Sequence, residues 1–81
     1  MTIKDIEAVL IREVASILSI RAKEIMPGAL LHTLGLDSMG FVELLVFIEK
    51  EFKIALMESG MTKDDFRTIN SLARCISKAK G

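Results

Sequence analysis

Tryptophan and tyrosine are missing from this chain, and cysteine, proline and histidine each occur once in its 81 residues. A lone cysteine makes no internal disulfide, which points to a reducing compartment. A lone histidine with no cysteine close by gives no metal-ligand spacing. His32 therefore reads as a structural or exposed residue, neither a metal ligand nor a base. With four phenylalanines as its only aromatic residues, the chain must build its core from Leu, Ile, Val and Met. An excess of charge of either sign is missing too: 11 basic and 11 acidic residues cancel, which argues against a general nucleic-acid binder. No apolar run approaches the roughly 18 residues of a membrane span. Lys4, Asp5, Glu7, Arg12 and Glu13 interrupt any apolar segment of a signal peptide. These absences leave one small cytoplasmic domain over residues 1–81 as the expectation.

What is present is mostly helical periodicity. Thr2 followed by Asp5 fits a capping-box start, with Asp replacing the usual Glu. Ile3, Ile6, Leu10, Val14 and Ile17 recur at helical steps and form one apolar stripe, so a first helix should fade near Ser19. Residues 20–36 follow as a long connection, punctuated by Pro27-Gly28 and Gly35. A connection of that length needs its own side chains as pins, and Ile20, Ile25, Leu30, Leu31 and Leu34 supply them. A second helix should run from Ser38 to about Lys53, with Val42, Leu45, Ile48 and Phe52 inward and Phe41 at the edge. Leu44, Val46 and Phe47 make this helix apolar nearly all round. One helix of so small a domain cannot be buried on every side, so part of that surface should face a partner or a bound chain. Thr62 with Asp65 suggests a short helical turn up to about Phe66, and Thr68 caps a last helix with Ile69, Leu72, Ala73 and Ile76 inward. Cys75 lies off that stripe. The expectation is an all-α, up-down four-helix bundle, three helices long and one short, with a long loop between the first two.

Charge is distributed unevenly along the chain. Between Asp37 and Asp65 there are seven acids and three bases, followed only by the bases Arg67, Arg74, Lys78 and Lys80. The mildly acidic middle would steer basic partner surfaces towards Ser38, and salt would screen the effect.

The stretch Gly35-Leu36-Asp37-Ser38-Met39-Gly40-Phe41-Val42-Glu43-Leu44-Leu45 organises the rest. Asp37 is placed to accept from backbone N–H groups of the first turn, as an N-cap does. Ser38 then occupies the first helical position, its hydroxyl beside the positive end of the helix dipole, where a phosphate is favoured. Leu34-Gly35-Leu36-Asp37-Ser38-Met39 with Val42-Glu43-Leu44 resembles the attachment motif of the acyl carrier protein family. The resemblance covers nearly the whole chain. It implies that Ser38 holds a 4'-phosphopantetheine arm by a phosphodiester, added by a phosphopantetheinyl transferase, with no metal in the carrier itself. It implies a non-enzymatic, monomeric tether that presents an acyl thioester to acyl-transferring, ligating or condensing enzymes. Docking is expected at Met39, Glu43, Leu44, Phe47 and Lys50. A pocket for the acyl chain is expected among Leu30, Phe41, Leu45, Ile48, Met57, Met61 and Phe66.

The chain departs from that family's usual pattern at Gly40, where an acid is common, and at Lys50 and Lys53 in the second helix. It departs again at Ile54-Ala55-Leu56-Met57 and at the bulky Phe41. These departures point away from bulk fatty acid synthesis, towards specialised lipid or secondary-metabolite synthesis with a more apolar docking face. Asp37-Ser38-Met39-Gly40 is also similar to the motif of D-alanyl carrier proteins, so an aminoacyl carrier is the alternative. Two other classes compete. A serine hydrolase is disfavoured because Gly35 stands three residues before Ser38, one too many for a nucleophile elbow, and 81 residues cannot build the required sheet. A helical interaction protein that never receives an arm differs only in its modification.

Overall fold

A computed structural model of the chain describes residues 2–55 and 66–80. Among the described residues there are three α-helices, α1 (Ile3–Leu18), α2 (Ser38–Phe52) and α3 (Ile69–Lys80), and one 3₁₀ turn at Ala22–Glu24 in the connection between α1 and α2. The all-α class expected from the sequence holds. The short fourth helix expected at residues 62–66 falls almost wholly outside the described residues. Among those residues, no helix is long and apolar enough to cross a membrane.

Local chemistry fixes each helix start. The Thr2 N–H donates to Asp5 Oδ2 (3.0 Å) and the Asp5 N–H donates to Thr2 Oγ1 (3.1 Å), closing the expected capping box. These bonds, led by the one from the Thr2 backbone, hold the Asp5 carboxyl below its ordinary value of 3.8. A depressed folded value means that the cap's contribution is present above about that pH and is lost as pH falls through the lower folded value. At the other end α1 stops at Ser19, which adopts the left-handed conformation (φ 58°). Before α3, the Ser71 N–H donates to Thr68 Oγ1 (3.0 Å) and the Thr68 N–H donates to Ser71 Oγ (3.3 Å). The Asn70 N–H, another first-turn donor, reaches the Pro27 carbonyl at 2.9 Å.

The core is aliphatic except for Phe52, and Met26 and Met39 stay exposed. Ile6, Leu10 and Val14 of α1 meet Ile69, Leu72, Ala73 and Ile76 of α3, and Leu44, Ile48 and Phe52 of α2 complete the cluster. α1 packs more extensively on α3 than on α2, and Asn70 Nδ2 ties the pair by donating to Glu7 Oε2 at 2.9 Å.

The long connection is pinned partly as expected. Ile25, Leu31 and Leu36 are buried in the core, while Ile20 and Leu34 pack against it. Leu30 is not a side-chain pin, because it stays 41% exposed. Its backbone forms an antiparallel bridge with Thr68, and the neighbouring Leu31 N–H donates to the Arg67 carbonyl at 2.8 Å. Two backbone hydrogen bonds, at Leu31 and Asn70, thus tie the connection to the start of α3. Gly35 turns the chain towards α2 with φ 108°, a region where a side chain is strained.

The facing of α2 differs from its expected phase. Gly40, Leu44, Ile48 and Phe52 are buried, one residue in every four. Val42, expected inward, is 59% exposed, and Leu45 is only half-buried. An all-round apolar helix carries little phase information in its hydrophobicity alone. Leu36 and Ile17 approach α2 closely at Gly40, where an added Cβ would stand 2.7 Å from Leu36 Cδ1 and 3.4 Å from Ile17 Cγ2, so that Leu36 would have to shift. Turning Gly40 inward carries Leu44 and Ile48 with it along the same helical row.

Candidate functional site

The site is built at the tip of α2. Asp37 has extended backbone (φ −90°, ψ −176°), and its Oδ1 accepts from the Gly40 N–H at 2.8 Å. Its carbonyl accepts the first intrahelical bond, from Phe41 N–H at 2.9 Å. Asp37 is therefore the N-cap, and Ser38 is the first helical residue. Helix geometry leaves the Ser38 and Met39 amides without intrahelical acceptors, and the dipole adds positive potential there. Ser38 itself is exposed. An exposed hydroxyl beside that helix start suits a phosphodiester. Replacing Asp37 by Ala should cost about 0.5–2 kcal/mol of stability, read from the shift in urea midpoint; an unshifted midpoint would show that the cap is dispensable.

Three rows of side chains leave this tip along α2. On one flank, Phe41 and Leu45 line an open cleft of about 380 Å³ with His32, Phe66 and Arg67. The Phe41 and Phe66 rings meet edge to face, with centroids 6.5 Å apart and planes at 83°, a favourable aromatic geometry. On the other flank, Phe47 and Glu51 border a second cleft of about 280 Å³ against Val9, Arg12 and Glu13 of α1. Between the flanks, Met39 (73% exposed), Val42 (59%) and Val46 (45%) form an apolar outer row beside Ser38.

The structure thus gathers some of the expected site residues and separates others. Phe41, Leu45 and Phe66 come together in the first cleft. Ile48 is fully buried in the core, and Leu30, 41% exposed, lies outside the lining of that cleft. Met57 and Met61 lie outside the described residues. Of the expected docking residues, Met39, Glu43 and Lys50 are exposed and Phe47 is half-buried. Leu44 is corrected: at 0% exposure it belongs to the core and offers no surface to a partner. Val42, expected in the core, is instead exposed beside Val46, and the three- and four-residue steps Met39–Val42–Val46 put these residues on one face. No cluster of three or more His, Cys, Asp or Glu that could hold a metal ion occurs among the described residues.

A profile of the phosphopantetheine attachment site family matches residues 8–76, with the Asp37–Ser38 tip well inside. The chain belongs to this family of carrier proteins. Aminoacyl carrier protein 2 of Bradyrhizobium diazoefficiens is similar, with 34% identity over 58 residues, covering 72% of this chain and 65% of that protein. The D-alanyl carrier protein of Streptococcus suis is 43% identical over 49 residues, 60% of this chain and 62% of that protein. Aminoacyl carrier protein 1 of Bradyrhizobium diazoefficiens is 33% identical over 55 residues, with shares of 68% and 61%. The matched stretch therefore spans somewhat less than two thirds of each relative's length. No solved structure matches the chain significantly. Carrier proteins of this family bear 4'-phosphopantetheine, meet a phosphopantetheinyl transferase and acyl-handling enzymes, and are tethers without catalytic activity of their own.

Proposed function

We propose that Ser38 is the attachment residue and that the chain tethers an aminoacyl group as a thioester on the arm. The observation that carries the attachment is the Asp37-capped start of α2, which presents an exposed serine hydroxyl at the electropositive helix end. Asp37 fixes the chain entering the helix, and Ser38 orients the arm outward. Once attached, the arm supplies a terminal thiol, whose thioesters are more readily attacked at the carbonyl than esters or amides. The outer row of Met39, Val42 and Val46, flanked by exposed Glu43 and Lys50, is the surface on which the transferase and loading enzymes dock. An apolar centre with a charged rim suits such a contact.

The aminoacyl cargo is supported by the similar carriers, which are named for aminoacyl and D-alanyl groups. The second reading, an acyl cargo, is favoured by the cleft between Phe41, Leu45 and Phe66. It was the first expectation from the sequence, and the similar carriers shift the balance to its alternative. Hydroxylamine release of the cargo from the arm-bearing protein, isolated from cells that make it, separates the two. An amino acid hydroxamate is expected; a fatty acyl hydroxamate would establish the second reading instead.

A further inference from the structure

Gly40 is an ordinary helical residue by its backbone, so conformational freedom does not explain a glycine there. In a helix interior it costs about 1 kcal/mol relative to alanine. The reason lies in its surroundings. A Cβ at this position would stand 2.7 Å from Leu36 Cδ1, 3.3 Å from Asp37 Oδ1 and 3.4 Å from Ile17 Cγ2. The first distance is well inside van der Waals contact. Leu36 is only 4% exposed and belongs to the core, so a shift of its methyl group has to be taken up by close-packed neighbours. The second neighbour, Asp37 Oδ1, is the atom that accepts the Gly40 N–H at 2.8 Å. Leu36 and Asp37 are also the two residues immediately before Ser38. A side chain at position 40 therefore presses on the segment that delivers the serine to the helix tip.

We propose that Gly40 is a positioning residue for Ser38: the space left by its missing side chain lets Leu36 seat in the core and Asp37 close the cap, and together they set the direction of the hydroxyl. The proposal rests on the reading of Ser38 as the attachment residue. Gly40 acts through Leu36 and Asp37 and does not itself touch the arm. It faces inward, away from the Met39–Val42–Val46 row, so its effect falls on the transfer step and not on docking.

The experiment compares the wild type, Gly40→Ala, Leu36→Ala and the double variant as full chains, with a phosphopantetheinyl transferase and coenzyme A. Each is assayed well below its own melting midpoint, with helicity checked by circular dichroism. Gly40→Ala should lower kcat of transfer by about tenfold or more with KM nearly unchanged, since misplacing a reacting group by an ångström is this costly. In the Leu36→Ala background, where the obstructing methyl is gone, the same substitution should cost much less. This second comparison carries the test if Gly40→Ala alone does not fold. Equal transfer by wild type and Gly40→Ala would overturn the proposal, as would a change in KM alone or an equal loss in both backgrounds. A wild type modified at Ser38 beside an equally fast Gly40→Ala sinks only this proposal. A wild type modified elsewhere sinks the reading beneath it, and the proposal with it.

Discussion

Leu44→Ala should destabilise the chain by about 2–5 kcal/mol, the usual range for truncating a fully buried leucine to alanine. Leu44 is 0% exposed and sits with Ile48 and Phe52 in the row that α2 turns to the core. The loss combines forfeited burial with a cavity that a close-packed interior fills only in part. For a domain of this size the whole folding free energy is roughly 4–12 kcal/mol, so the variant should be near its threshold at ordinary temperatures. Urea unfolding followed by circular dichroism reads the shift in midpoint. An exposed docking leucine behaves differently: its truncation leaves stability within about 0.5 kcal/mol and acts on partners alone. That outcome would reverse the orientation of α2.

The paired change Val42→Glu and Val46→Glu should do the opposite. Both side chains are largely exposed, glutamate is a good helix former, and the unfolding midpoint should move by less than about 0.5 kcal/mol. Placing two carboxylates in the centre of an apolar contact forces them to be desolvated on binding. Central contact residues are often worth more than 1–2 kcal/mol, so kcat/KM with the phosphopantetheinyl transferase should fall about tenfold or more. The loss should lie mainly in KM. Unchanged transfer by the folded variant would remove the outer row from the docking surface.

The helix starts were legible because their signals are local. Thr2 with Asp5, Asp37 before Ser38 and Thr68 before Ile69 each place a side-chain acceptor next to a run of apolar periodicity, and all three cap as expected. The inward faces of α1 and α3 were legible for a related reason: polar residues between the apolar positions fix the phase. In α1, Ile6, Leu10 and Val14 are buried, Ile17 is half-buried and only Ile3, in the first turn, is exposed. In α3 the four expected positions, Ile69, Leu72, Ala73 and Ile76, are all fully buried. α2 has no such interruption between Phe41 and Ile48 except Glu43. Its phase is set by packing against residues outside the helix, among them Leu36 and Ile17 at Gly40, and these cannot be read from its own pattern. The observed phase puts Leu44, expected on the docking face, in the core and Val42, expected in the core, on the surface. The backbone pairing of Leu30 and Leu31 with the segment before α3 was hidden for the same reason: it joins residues nearly forty positions apart.

Whether the hydroxyl at the tip of α2 anchors the arm is read by mass spectrometry. The protein is incubated with a phosphopantetheinyl transferase and coenzyme A, then weighed intact and mapped after proteolysis. A gain of one phosphopantetheine group is expected, located on Ser38, with no gain in a Ser38→Ala chain that remains folded. An unmodified wild type beside a control carrier that the same enzyme modifies, or the same gain at any other residue, would contradict this role for Ser38.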